Sequence, residues 1–354
     1  MSKIKVGIVG VGNCAKSLVE GIQYYNSNPE DKVGLMYPDI GGYTTTDIEF
    51  VVGFDVDRRK VNRPLTEALR AAPTCALNHV EEILEVGSNS PGAVAPGAMV
   101  YSGPELDGIA PWMLEYPKEV SFRTGAEAAK SYDDIVDLIK KTKVDVLINY
   151  LPVGTEKGSR FYMDAALDAG VHFVNCIPTL ISTKETMEIE QKFINKGLTI
   201  VGSDMRSAWG ASRMSEVLQG AMIDSGLMVT QHIQMNMAAG STQGQENIRT
   251  GRTANTDFLN MAEKSRLHNK HVSKENVLKG QNVVRNEPTA GATLYAGPSL
   301  TVFQKPGGQY VGSDNKIANF DIIAYGFGGA RYEMSARLSV QDSPNSGGVV
   351  VSAI

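Results

Sequence analysis

The stretch Ile4-Lys5-Val6-Gly7-Ile8-Val9-Gly10-Val11-Gly12-Asn13-Cys14-Ala15 decides the fold. Residues 4–9 read as a short buried strand. Residues 14–24 read as a helix with Ala15, Leu18, Val19 and Ile22 on one face. Between them stands a Gly-x-Gly-x-x-Ala turn. Gly10 permits the tight turn, Gly12 lets the backbone approach a pyrophosphate, and Ala15 lets helix and strand pack closely. Free N–H groups at the helix N-terminus, Asn13 and Cys14 among them, would then meet the phosphate charge. Such a pattern is weak alone; here it lies between a strand and a helix, the context that gives it meaning. The competing reading is a glycine turn without a ligand.

Working outward, residues 50–55 read as a second strand ending in Asp55, with Asp57 nearby. A carboxylate there can accept hydrogen bonds from an adenosine ribose and would repel a 2′-phosphate, which favours NAD over NADP. The spacing from the glycines exceeds the usual gap of about 20 residues. Residues 26–46, rich in Asn, Pro, Asp, Gly and Thr, read as a long connection that takes up the excess.

Strand and helix patterns then alternate. Helices are expected at 133–141, 160–169 and 183–196, and strands at 144–149, 171–176 and 198–201. This order indicates a parallel sheet with right-handed crossovers. Asn149, Leu151, Pro152 and Asn175 fall at the carboxyl ends of these strands, where open α/β sheets bind ligands. Asn149 and Asn175 could reach a nicotinamide or substrate, or serve ordinary loop chemistry.

Beyond residue 204 the texture changes. Helices are expected at 212–224 and 256–268, and strands at 228–237, 293–302, 318–325 and 331–340. The blocks resemble an α+β arrangement. Two stretches, 238–255 and 305–315, read as mobile loops. Asp342-Ser343-Pro344-Asn345-Ser346 reads as a helix start, with Pro344 in the first turn. The expected architecture is therefore a Rossmann-type doubly wound parallel sheet with an inserted α+β domain. The Rossmann part takes residues 1–203 and 339–354. The inserted part takes residues 204–338.

Composition narrows the classes. The 354 residues are 42% hydrophobic and 21% charged, an ordinary globular balance. The net charge of −5 argues against a nucleic-acid binder held by phosphate contacts. No run of about 18 apolar residues suggests a membrane span. Cys14, Cys75 and Cys176 are odd in number and far apart, with no disulfide framework or metal spacing. A reducing cytoplasm is the expected home. His268 and His271 lack a third ligand at a recognisable spacing, so they read as exposed polar residues.

Several motifs together resemble the myo-inositol-1-phosphate synthases, in particular the short actinobacterial branch. They are the nucleotide loop at residues 6–15, Gly103-Pro104-Glu105-Leu106-Asp107-Gly108-Ile109, Tyr150-Leu151-Pro152-Val153-Gly154, Asp257-Phe258-Leu259-Asn260-Met261, and the Asp342 to Ser346 motif. The resemblance implies an NAD-dependent, redox-neutral sugar-phosphate cyclase acting on glucose 6-phosphate. It implies catalytic roles for Asp204 and Lys274, and cofactor contacts at Asp342 and Ser343. Ser207, Asn255, Asp257, Asn260 and Lys270 would meet substrate. It also implies that the 204–338 part supplies catalysis and the contacts of a homotetramer, and leaves open a divalent or monovalent cation. The chain departs from the family pattern where Gly202-Ser203-Asp204-Met205-Arg206-Ser207 carries Arg206 in place of a lysine, and where Arg337 replaces another. Arginine can hold an oxyanion but cannot give up its proton, so Arg206 and Arg337 would stabilise charge and Lys274 would move protons. Two alternatives stand beside this reading: a cyclase that closes a different hexose phosphate, and a nucleotide-binding homologue without cyclase activity.

Overall fold

The computed structural model describes residues 2–74, 76–87, 90–107, 123–125, 129–152, 155–179, 181, 187–203, 205–238 and 314–354. Its larger sheet contains β1 (Ile4–Val9), β2 (Ile48–Asp55), β5 (Val100–Ser102), β6 (Val146–Asn149), β7 (His172–Asn175) and β8 (Ile200–Val201). A two-residue hairpin pair, β3 (Val86–Gly87) and β4 (Ser90–Pro91), lies between β2 and β5 in sequence. The spatial order of the large sheet is β5-β2-β1-β6-β7-β8, and every pairing in it is parallel. This is the doubly wound order, in which the order of adding strands reverses between β1 and β6.

Period-two alternation divides the strands between two cores. Val6 and Ile8 of β1, Val146 and Ile148 of β6, and Val174 of β7 face α1 (Asn13–Ser27). Val9, Leu147 and Phe173 face the other layer, built from α3 (Tyr132–Lys141) and α4 (Glu156–Ala169). A short α2 (Leu65–Ala68) closes the first layer, and α5 (Met187–Asn195) borders the second. Ser131 caps α3 through a reciprocal pair: its Oγ accepts the Asp134 N–H, and the Asp134 carboxylate accepts the Ser131 N–H. This satisfies end groups that the helix itself leaves open.

The second unit is a three-stranded antiparallel sheet ordered β11-β10-β9. Its strands are β9 (Met228–Ala238), β10 (Asn315–Tyr325) and β11 (Arg331–Gln341). α6 (Ala211–Asp224) packs on the face carrying Ala318, Phe320, Ile322 and Ala324. Residues 339–341 belong to β11, so the chain leaves this sheet at Asp342. Residues 238, 314 and 315, expected in loops, are the end of β9, a buried aspartate and the first residue of β10.

The last helix, α7 (Asp342–Val351), returns to the large sheet's layer. Its Val350 is fully buried in the core beside α1, with Val351, Ala353 and Ile354 packed around it. Gly348 has no room for a Cβ, which would lie 2.2 Å from the Gly34 carbonyl oxygen. The 26–46 connection therefore rests on α7 as well as feeding β2. The expected helix at 256–268 and strand at 293–302 lie outside the described residues.

Candidate dinucleotide site

One cleft opens at the reversal point between β1 and β6. Gly10, Gly12, Asn13, Cys14, Asp55, Leu151, Pro152, Asp342 and Ser343 all line it. Its remaining walls include Lys60, Pro73, Thr74, the 104–107 segment, Tyr150, Thr155 and Tyr162. These expected cofactor residues thus converge from α1, β2, the end of β6 and α7, while Ala15, Asn149 and Asn175 do not line the cleft.

Gly10 adopts φ +87°, and a Cβ there would lie 2.6 Å from the Tyr150 carbonyl oxygen. Any other residue would collide with the backbone leaving β6. Gly12 differs: a Cβ on it would meet nothing within 4 Å, because it faces the open cleft. α1 has no side-chain cap at its N-terminus. A pyrophosphate placed against Gly12, Asn13 and Cys14 would meet a helix N-terminus that no side chain caps and the positive end of the helix dipole. The residues present therefore fit a dinucleotide.

Asp55 is nearly buried and heavily engaged. Its Oδ2 accepts the Val11 N–H at 2.8 Å, and its Oδ1 accepts the N–H groups of Val56 at 2.7 Å and Asp57 at 2.9 Å. A carboxylate offers about four acceptor positions, so room for a ribose hydroxyl is small. Asp57 turns away from the cleft and is held by Arg59 and by the Arg123 N–H. Asp107, from the 103–109 motif, accepts the N–H groups of Lys157 and Gly158, capping α4 at the cleft edge.

Asn149 and Asn175 do not line the cleft. Both are fully buried. Asn149 Nδ2 donates to Ser159 Oγ and to Asn175 Oδ1, and its Oδ1 accepts the Leu151 N–H. Asn175 Nδ2 donates to the carbonyls of Ile177, Thr179 and Gly202. Their amides knit the strand ends together, which corrects the expectation that they reach a ligand. Ala15 is buried beneath the helix and lets it sit on β1.

On the α7 side, Asp314 was not anticipated. Its carboxylate accepts the Ser343 N–H at 3.0 Å and the Ser343 hydroxyl at 2.7 Å. Burial, reinforced by the charge of Asp342, pushes it up to about 6, against the opposing Ser343 bonds. Lys316 Nζ binds both oxygens of Asp342, at 3.0 and 2.8 Å. Burial, with Asp314 and Asp342 nearby, pushes the Cys14 thiol up to about 12. A cysteine at a helix N-terminus is often activated; this one stays a neutral thiol. Sequence offered only a faint signal for Asp314 and Lys316: two charged residues ending a glycine-rich stretch beside a strand.

A family model described as myo-inositol-1-phosphate synthase matches residues 210–343. The inositol-3-phosphate synthase of Mycolicibacterium smegmatis is 36% identical over 360 residues, spanning 99% of this chain and 86% of that protein. That of Corynebacterium glutamicum is 34% identical over 359 residues, spanning 100% of this chain and 86% of that protein. The chain belongs to the myo-inositol-1-phosphate synthase family. The fold agrees with the crystal structure of a myo-inositol-1-phosphate synthase-related protein from Thermotoga maritima, at a TM-score of 0.71 and 18% identity over 99% of this chain and 86% of the other.

In this synthase-family chain, Arg206 and Arg337, expected at positions where the family pattern has lysines, do not line the cleft. Arg206 is exposed, in the turn before α6, and pairs with Glu216, which also holds Arg213. Ser207 is half-buried in the same turn. Arg337 sits on β11 opposite Asn319, on the face away from α6. Asp204, Asn255, Asp257, Asn260, Lys270 and Lys274 lie outside the described residues. Among the described residues, no group of His, Cys, Asp or Glu is arranged to hold a metal ion, and no helix is long and apolar enough to cross a membrane.

Proposed function

We propose that this chain closes glucose 6-phosphate to 1L-myo-inositol 1-phosphate, with NAD as a catalytic cofactor and no net redox change. One observation carries the proposal: identity of 34% and 36% to inositol-3-phosphate synthases over essentially the full chain, in a protein where Gly10, Gly12, Asn13, Cys14, Asp55, Leu151, Pro152, Asp342 and Ser343 line one cleft. NAD, when bound, supplies the reversible hydride acceptor that turns the C5 hydroxyl into a ketone and back.

The chain's residues do the rest. The Gly12 to Cys14 amides hold the pyrophosphate, and Asp55 sits at the ribose end. The C5 ketone acidifies C6, so a proton carrier must remove the C6 proton before C6 attacks the C1 aldehyde. Lys274 is assigned that role, because lysine can lose a proton and arginine cannot. Arg206 and Arg337, with Asp204, are assigned the anionic substrate oxygens. Ser207, Asn255, Asp257, Asn260 and Lys270 are assigned to substrate. A homotetramer and a cytoplasmic location belong to the same reading.

The lysine-to-arginine changes favour one further reading, a cyclase for another hexose phosphate. NMR of products formed from NAD and a panel of hexose phosphates separates the two. Lys274→Ala should abolish turnover, since one such charge in a dry site contributes on the order of 10²–10³ in rate. Wild-type turnover by Lys274→Ala would remove the assigned active site.

A further inference from the structure

The glycine loop itself carries no basic side chain, and Lys16, the next residue, turns away to the Ala76 carbonyl and Asn78. Among the described residues that line the cleft, the basic one is Lys60. It lies just beyond β2, where its N–H donates to the Asp57 carbonyl at 2.9 Å. The residue is 2% exposed. Nζ donates to the Val11 carbonyl and, at 2.7 Å, to Thr74 Oγ1.

We propose that Lys60 is a positioning residue for the cofactor pyrophosphate, acting through the Val11–Gly12 peptide; the proposal rests on the NAD reading above. A trans peptide points its C=O and the following N–H in opposite directions. Lys60 draws the Val11 carbonyl to one side, which sends the Gly12 N–H to the other. The neighbouring groups are also tethered. Gly10 N–H donates to Phe54 O at 2.9 Å, Val11 N–H to Asp55, and Gly12 O accepts Lys16 N–H at 3.0 Å. Asp55 and Lys60 thus grip the Val11 residue by its amide and its carbonyl, and the loop keeps one shape. Through Thr74 the same ammonium ties the loop to the part of the cleft wall that Pro73 and Thr74 form. A buried ammonium is costly in an apolar wall, and an arriving pyrophosphate brings the opposite charge to it. The role of Asp55 changes accordingly: its carboxylate shapes the loop before it meets a ribose.

The test uses the full chain with NAD and ADP-ribose as probes. Calorimetry of Lys60→Met should show both ligands weakened about tenfold or more, the loss of one hydrogen bond to a charged group. The slope of log Kd against log salt should also fall in magnitude. KM for NAD should rise while kcat at saturating NAD stays within about twofold of wild type, since the lysine does not touch the reacting atoms. Lys60→Gln, which keeps a donor and loses the charge, should retain the fold and show an intermediate loss; it carries the test if the methionine variant does not fold. Wild-type affinity and salt slope in both variants, with only a lowered Tm, would overturn the proposal and leave the NAD reading standing. Failure of the wild-type protein to bind NAD would overturn both.

Discussion

At the scale of single residues, Gly10 and Gly12 do different work although they share a motif. Gly10 is required by the protein itself: its φ is +87°, and a Cβ on it would stand 2.6 Å from the Tyr150 carbonyl oxygen. We expect Gly10→Ala to destabilise the apo protein by about 3 kcal/mol or more, read as a lowered midpoint in urea. Gly12 has extended backbone, φ −108° and ψ −153°, and open space beyond its Cα. Gly12→Val should leave the apo midpoint nearly unchanged and weaken NAD at least tenfold by calorimetry. A large midpoint loss with normal NAD affinity would show that Gly12 serves packing instead.

At the scale of elements, α1 carries a polar stripe that hydrophobic periodicity does not reveal. Asn13, Lys16, Glu20 and Gln23 recur at helical spacing and hold the 76–84 segment against the helix. Glu20 is fully buried and pairs with Arg70, while its Oε2 accepts the His79 N–H. Glu20→Ala removes the carboxylate shared by Lys16, the partly exposed Arg70 and the His79 N–H, and losing hydrogen bonds to a charged group costs about 1.5–3 kcal/mol. Hydrogen exchange should find the 76–84 amides deprotected in that variant; unchanged protection would refute the role. Between α6 and the small sheet, His232 is fully buried, hydrogen-bonded to Ser215 and Gln219, and burial pushes it down to about 4. The unfolded imidazole takes a proton near pH 6.5 and the folded one does not. Stability from this site is therefore complete above about 6.5 and lost as pH falls towards 4, on the order of 3 kcal/mol in all. Asp314, raised to about 6, works in the opposite direction between about pH 4 and 6, since its protonated form favours the fold. The difference between wild type and His232→Asn in denaturation from pH 7.5 to 5 isolates the histidine; parallel curves would exclude it.

At the scale of the molecule, α7 couples the two sheets. It follows β11 without a loop, lines the cleft with Asp342 and Ser343, and ends in the core beside α1. Asn345 adds a second tie: its Nδ2 donates to the Trp209 carbonyl and its Oδ1 accepts the Trp209 N–H, just before α6. A ligand that touches both sides of this junction should stabilise both units together. At a hundredfold excess over its Kd, NAD should add about 2.7 kcal/mol and preserve a single calorimetric transition. Asn345→Ala should cost about 1–3 kcal/mol and separate the transition into two; one unchanged transition would show that α7 alone is sufficient. The Rossmann domain proposed as residues 1–203 and 339–354 would then be better drawn from Asp342, where β11 has ended.

Sequence alone determined the elements whose signals are local. The first strand, the glycine turn, the helix after it and the alternation of strands to Val201 follow from periodicity and from residues that only one backbone shape accepts. Family membership was also legible, because its motifs lie at 6–15, 103–109, 150–154 and 342–346, spread along the chain. What tertiary structure decided is how polar side chains are used. Asn149 and Asn175 end strands as a ligand-binding residue would, yet neighbouring carbonyls and hydroxyls take both of their amides. Asp55 ends β2 as a ribose acceptor would, yet three backbone N–H groups claim it first. The roles of Lys60, Asp314 and Lys316 could not be read along the chain, since their partners lie on other elements. A hydrogen bond depends on where two groups meet in space, and no spacing along one strand or helix records what the fold brings opposite it.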